Sequence, residues 1–368
     1  MTSSVDTMCR EARVIVICGT GGVGKTSIAA ALGLEAARLG RRAVVITIDP
    51  ALRLADAIGI TASVGNEPQQ VSADVSGELW VSMLDVQQTF DQLVRDTSPT
   101  PQVAAEVMNN SFYRTMSQSL SGTRDYMAAE RLYSLSNDPR FDVVIVDTPP
   151  SRNALDFLES PERLARFLQH HIVRLLIAPS RGGFGIAGAA MQSVTKIISS
   201  VVGSDALSGA VSFLRAFEGM EDEFSRHALT VATTLRSDAT HFVVVTAPFA
   251  DALGEADHFV SELARLTIPL RLIVANRMPP TFGSTSAAQE RELAATTFGD
   301  TALAHALLAD MTHEAEEASA KVIEFISRTR TIFPNAATAQ ATEQAVDIHD
   351  MESIGTLADQ LAVHLSSK

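Results

Sequence analysis

Apolar positions along the chain follow two rhythms. Short continuous apolar runs at 14–17, 43–48, 79–84, 141–146, 242–245 and 270–275 read as buried strands, the run at 79–84 being the weakest. Between them the period turns helical: 28–39, stopped by Gly40; a short helix over 52–58, closed by Gly59; most of 86–135; most of 154–236; a helix around 256–266; and most of 286–331. Residues 61–77, rich in Ser, Asn, Pro and Gln, read as a loop. Residues 333–344 read as an Ala/Thr/Gln linker or loop, 345–348 as a last short strand, and 351–365 as a closing amphipathic helix.

Strands alternating with helices predict an α/β fold with a doubly wound, mostly parallel sheet. The long helical stretches do not fit as simple crossovers. They divide the chain into an α/β core over 1–85, 136–154 and 237–368, and an inserted α-helical subdomain over 86–135 and 155–236. The insertions carry two apolar stripes, Met108, Phe112, Met116, Leu120 and Met127, then Phe213, Phe217, Met220 and Phe224. Such stripes face a core or line a hydrophobic client groove; Met-rich surfaces suit varied apolar partners. Arg181-Gly182-Gly183-Phe184-Gly185 reads as a hinge.

The densest chemical signal joins the first strand to the first helix: Cys18-Gly19-Thr20-Gly21-Gly22-Val23-Gly24-Lys25-Thr26-Ser27. Strand, glycine loop and helix in that order, with a Gly-x4-Gly-Lys-Thr spacing, form a phosphate-binding P-loop. Glycines let successive N–H groups turn toward phosphate oxygens, and the helix start adds its positive dipole end. Lys25 can reach the β- and γ-phosphates of ATP, and the Thr26 hydroxyl can ligate Mg²⁺. Two carboxylates stand at strand ends, Asp49 before Pro50 and Asp147 before Thr148-Pro149-Pro150. In an open α/β sheet those ends face the ligand crevice. Asp147 follows apolar residues as a Walker B carboxylate does, which gives it a role at Mg²⁺; a helix-capping turn is the plainer alternative. Asn276, at the end of the 270–275 run, can hydrogen-bond a base or simply form a turn.

Composition narrows the partners. The 46% hydrophobic and 20% charged shares suit a sizeable core. A net charge of −14 argues against non-specific binding to nucleic acid or to an anionic membrane surface. The two cysteines, Cys9 and Cys18, give neither a CxxC pair nor zinc spacing, so a reducing cytoplasm is the default, with peripheral membrane attachment as an option. Residues 1–13 lack an apolar signal core, and no run of 18 apolar residues occurs.

Three segments together carry a resemblance: 19–26, then Thr47-Ile48-Asp49-Pro50-Ala51-Leu52-Arg53-Leu54-Ala55-Asp56, then Asp147-Thr148-Pro149-Pro150-Ser151-Arg152-Asn153-Ala154-Leu155. They resemble the arsenite-pump ATPases, P-loop ATPases with a deviant Walker A motif. That family includes the eukaryotic targeting factor for tail-anchored membrane proteins. The chain is most similar to the bacterial, actinobacterial-type anion-transporting branch. The resemblance implies an ATP-dependent dimer with two facing nucleotides. It makes Asp49 the switch I carboxylate acting on the attacking water, Asp147 the metal-side carboxylate of switch II, and Asn276 an adenine contact. Hydrolysis would open and close the dimer and reshape a groove for a hydrophobic client or membrane protein. Two further readings are the energising subunit of an anion or membrane transporter, and a nucleotide-switched scaffold with little turnover.

The chain departs from the family at Thr20, where members usually carry a lysine that reaches the partner subunit's phosphates. By analogy with arginine fingers, that charge is worth on the order of 10³ in rate. Three outcomes follow: Arg53 or Arg152 substitutes, a lysine-bearing paralogue completes a heterodimer, or ATP is bound and poorly hydrolysed. The metalloid-site cysteines of the arsenite pump and the zinc CxxC of the targeting factor have no counterpart here.

Overall fold

The computed structural model of the chain describes residues 3–48, 54, 58, 65–110, 113, 121–149, 156–169, 221–280, 301–344 and 347–363. Its strands are β1 (Val14–Cys18), β2 (Arg42–Thr47), β3 (Gln69–Val71), β4 (Glu78–Met83), β5 (Val143–Asp147), β6 (Thr240–Thr246), β7 (Leu270–Met278) and β8 (Ala337–Thr342). Its helices are α1 (Ser4–Glu11), α2 (Lys25–Arg38), α3 (Val86–Thr97), α4 (Pro101–Asn109), α5 (Ser121–Asn137), α6 (Asp156–Gln169), α7 (Glu221–Leu235), α8 (Ala250–Arg265), α9 (Thr301–Ile332) and α10 (Met351–Ala362). The chain divides into two units, one of Met1–Met83, Pro139–Ala154 and Asp238–Lys368, the other of Leu84–Asp138 and Leu155–Ser237.

The first unit is a doubly wound α/β sheet in the order β3-β4-β2-β5-β1-β6-β7-β8. Every pairing is parallel except that of β3 on β4. Buried on both faces, the central strands are apolar along their length, as in all of β1, in β5 up to its final Asp147 and in the middle of β6. Ile15, Ile17, Val45, Ile145, Val243 and Val274 share a core with α2 and with Ile354, Leu357 and Leu361 of α10. The alanines of α2 let it lie close to the sheet, and the helix is buried nearly all round. On the other side α8 packs on β6 and α9 on β7, burying Phe259, Leu263, Val322 and Phe325.

The structure departs from two local expectations and adds a helix at the N-terminus. The last strand is Ala337–Thr342, within the segment read as linker, and it pairs parallel with β7; of the run 345–348 read as strand, 347 and 348 have no regular structure and 345 and 346 lie outside the described residues. Ala339 and Ala341 point into the core at 2% and 1% exposure. Alanines alternating with Thr and Gln give little hydrophobic contrast, and the cover over them is supplied by α10, not by their own bulk. The loop at 61–77 contains the short strand β3. The N-terminus contains α1, capped by Ser3, whose hydroxyl accepts from the Asp6 N–H at 2.9 Å; Val5, Met8 and Cys9 face the core.

The second unit is helical. Asp85 caps α3 by accepting from the Gln88 N–H at 2.9 Å, and Pro101 opens α4 behind the Thr100 cap. The helices α6 and α7 lie antiparallel: Glu162, midway along α6, is ion-paired to Arg236 just beyond the end of α7, while Gln169 at the end of α6 donates to Ser225 in the first turns of α7 at 2.7 Å. The core gathers Phe90, Leu93, Val107, Tyr113, Met127 and Phe224, with Met108 packed against it. The stripe members Met108, Met127 and Phe224 therefore serve this core. Phe112, Met116, Leu120, Phe213, Phe217, Met220 and the hinge at 181–185 lie outside the described residues. Between α5 and α7, His227 Nε2 sits 2.9 Å from the buried Glu130 carboxylate, and Tyr133 meets the imidazole edge-on at 5.2 Å.

Candidate active site

The loop after β1 is shaped by lack of room. Gly19 has φ +152°, and a Cβ there would collide with the Val245 carbonyl of neighbouring β6. Gly24 is the N-cap of α2 with φ +87°, a left-handed conformation that glycine adopts without steric cost, and a Cβ there would collide with the Asn276 amide. No side chain caps α2, so its first N–H groups and dipole end face the loop. Lys25, the first residue of α2, is 6% exposed and its ammonium donates to the Thr20 carbonyl at 2.8 Å. The loop Gly19, Thr20, Gly21, Gly22, Val23 and Gly24 and the first turn of α2, with Lys25, Thr26 and Ser27, thus stand together at the C-terminal end of β1.

Asp147 ends β5, which lies between β1 and β2. Its Oδ2 accepts from the Thr26 hydroxyl at 2.7 Å and from the Thr47 hydroxyl at 3.1 Å, so the metal-side candidates Thr26 and Asp147 meet. Thr148 donates its hydroxyl to the Ile17 carbonyl at 2.6 Å, and the Ile48 N–H donates to the Asp147 carbonyl at 3.0 Å. Asp147, Thr148 and Thr47 are all at most 2% exposed. Three strand ends are thereby tied together through buried polar groups. Thr47 and Thr148 join the site as residues that sequence marks only by a hydroxyl at the end of an apolar strand, within two residues of a strand-end carboxylate.

Asn276 also reaches the loop. Its Nδ2 donates to the Val23 carbonyl at 2.8 Å, and the residue is 6% exposed. Asp49, Arg53 and Arg152 lie outside the described residues. Leu54 and Ile58, in the segment following Asp49, are buried in the sheet–α2 core. Both cysteines are buried, and burial pushes each thiol up to about 12, with the Lys25 ammonium opposing this at Cys18. Among the described residues no group of three or more His, Cys, Asp or Glu could hold a metal ion, and no helix is long and apolar enough to cross a membrane.

Inward N–H groups, a buried ammonium and a hydroxyl–carboxylate pair are suited to a polyphosphate with a hard divalent cation. The sequence model of the anion-transporting ATPase family matches residues 12–293. The chain is 23% identical over 270 residues to the ATPase ASNA1 homolog 1 of Paramecium tetraurelia, covering 72% of this chain and 74% of that protein. It is 24% identical to the ATPase GET3 of Malassezia globosa over 72% of this chain and 73% of that one. To the arsenical pump-driving ATPase of Escherichia coli it is 32% identical, over 41% of this chain and 26% of that protein. With the family model spanning well over half its length, the chain belongs to the anion-transporting ATPase family and is an ATPase.

Proposed function

We propose that this ATPase works as a dimer with Mg²⁺, and that its hydrolysis cycle opens and closes the dimer to control binding of a hydrophobic client or membrane partner. The observation that supports this best is the junction at Asp147. One carboxylate oxygen takes hydrogen bonds from Thr26, on the phosphate loop's helix, and from Thr47, two residues before Asp49. A change at the phosphates is therefore felt at the end of β2, where the switch I segment begins. Such a segment is a two-state element that the γ-phosphate can bias.

The residues divide the work. Lys25 and the loop N–H groups bind and orient the β- and γ-phosphates. Thr26 and Asp147 fit Mg²⁺, because both present hard oxygens, and a hydroxyl can offer lone pairs to a cation while donating its proton to the carboxylate. Mg²⁺ would supply charge neutralisation on those phosphates. Asp49 would orient the attacking water and accept its proton, a role carried over from the family resemblance. With Thr20 at the signature-lysine position, Arg53, Arg152 or a lysine-bearing paralogue supplies the missing positive charge.

A client role is supported by relatives named ATPase GET3 and ASNA1 homolog, which match along most of this chain. The relatives named arsenical pump-driving ATPases support a second reading, the energising subunit of a membrane transporter. Arsenite itself suits this chain poorly. Its two cysteines are buried with thiols pushed to about 12, and the thiolate is the metal-binding form.

The test is steady-state ATP hydrolysis by the pure chain, with its mass in solution read with and without ATP·Mg²⁺ and with a 20-residue apolar helical peptide as client. Turnover, an ATP-dependent dimer and nucleotide-dependent peptide binding are the expected results. Turnover with peptide binding indifferent to nucleotide would remove the client reading.

A further inference from the structure

Asn276 holds the phosphate loop by its backbone. The strand β7 brings Leu272 and Val274 to the core shared with α2, and Asn276, two residues on, continues that face. Immediately after it the ladder with β8 shifts register: Ala275 pairs with Gln340 and Met278 with Thr342, so one extra residue sits on β7. Arg277 takes φ +55° there. The bulge ends regular pairing with β8 at Ala275, and the Asn276 side chain, inside it, is directed at the loop.

The contact is with a backbone atom whose orientation matters. The Val23 carbonyl accepts from Asn276 Nδ2 at 2.8 Å, in a bond buried from solvent. Across a planar trans peptide, the carbonyl of Val23 and the N–H of Gly24 point in opposite directions. A carbonyl held toward β7 therefore aims the Gly24 N–H away from β7. The Asn276 amide also occupies the space that a side chain on residue 24 would take. Gly24 is the cap of α2, next to Lys25, so the same peptide sets the direction in which the loop's donors and the helix begin.

We infer that Asn276 is a positioning residue for phosphate binding: it fixes the Val23–Gly24 peptide so that the loop presents its N–H groups to the phosphate chain. This rests on the proposed nucleotide reading of the loop. It is separate from a contact with the base, because it acts on any polyphosphate, with or without a nucleoside attached.

Inorganic tripolyphosphate, which has no base or sugar, makes the test. Its affinity and that of ATP, each with Mg²⁺, are measured by calorimetry on the full chain, on Asn276→Leu and on Asn276→Ala. The leucine variant keeps the branched shape of the side chain and removes the donor; the alanine variant adds no apolar bulk. The midpoint of urea unfolding without ligand, read from the single tryptophan, Trp80, monitors the sheet unit. Loss of one buried hydrogen bond predicts about a tenfold weaker affinity for both ligands. The ratio of the two affinities should stay unchanged, and the midpoint should fall by no more than about 0.5 M, the cost of one buried hydrogen bond. Full tripolyphosphate affinity with weakened ATP binding would overturn the inference in favour of a base contact alone. A loss that only accompanies a collapsed unfolding midpoint would overturn it in favour of a packing role. A parent chain that binds neither ligand would refute the nucleotide reading itself.

Discussion

Replacing Thr47 by valine removes one hydroxyl from the Asp147 junction and leaves the strand's β-branched shape. The hydroxyl donates to Asp147 Oδ2 at 3.1 Å, and both residues are 2% exposed. A hydrogen bond to a charged acceptor contributes about 1.5–3 kcal/mol. The Thr26 hydroxyl stays on the same oxygen at 2.7 Å, so the loss belongs at the lower end, about 1.5 kcal/mol. Trp80 lies on β4 next to β2, packs edge-on against Phe141 at 5.8 Å, and reports the sheet unit alone. With a urea slope near 3 kcal/mol/M, the expected shift of the Trp80 midpoint is about 0.5 M downward. Thr47→Ser, which restores the donor, should recover most of it. The same variants should separate in ATP·Mg²⁺ hydrolysis, with valine slower than serine, because Asp147 is then held by Thr26 alone of these two hydroxyls. An unchanged midpoint in the valine variant, or a serine variant as weak as valine, would refute the reasoning.

Lys25→Ala should weaken ATP binding at least tenfold and abolish measurable turnover, since a buried ammonium on the phosphates is a charge-assisted contact; calorimetry against the parent checks it. Asp49→Asn should retain ATP binding and lose hydrolysis, and unchanged turnover would remove Asp49 from its assigned role. In the helical unit, the hydrogen bond to Glu130 raises the His227 pKa above its ordinary value of 6.5, with Asp96 and Glu223 adding in the same direction against the effect of burial. A raised histidine stabilises fully below the unfolded value and loses that contribution as pH rises through the folded one. Thermal unfolding followed by far-ultraviolet circular dichroism should therefore show the parent losing stability relative to His227→Gln from about pH 6 to 8, the range in which an imidazole discharges.

The parallel core was legible because strands buried on both faces must be apolar throughout, as 14–17 and 143–146 are. The phosphate loop was legible because its chemistry demands glycines and Lys-Thr at fixed spacing. The edge was not: β8 buries Ala339 and Ala341, whose small side chains carry almost no contrast against the neighbouring threonines. Helix α1 did carry a signal, Val5, Met8 and Cys9 at helical spacing behind a Ser3–Asp6 capping box, which its polar composition masked. At the site, sequence supplied residue types but not pairings. The bond from Thr47 spans one hundred positions and that from Asn276 spans 253, so only the folded sheet brings their partners together.

The strand order has a consequence for how the chain is made. No bond of the sheet joins β1 to β2; both pair with β5, which is synthesised roughly a hundred residues later, and β1 also pairs with β6. Until Val143 leaves the ribosome the glycine loop has no neighbouring strand to stand against, and Thr26 and Thr47 have no shared acceptor. Contacts this distant make folding slow, because loop closure precedes any reward. In that interval β2, β4 and β3 can pair with one another, but β1 has no strand partner, so the phosphate loop exists as sequence and nucleotide cannot yet help to stabilise it.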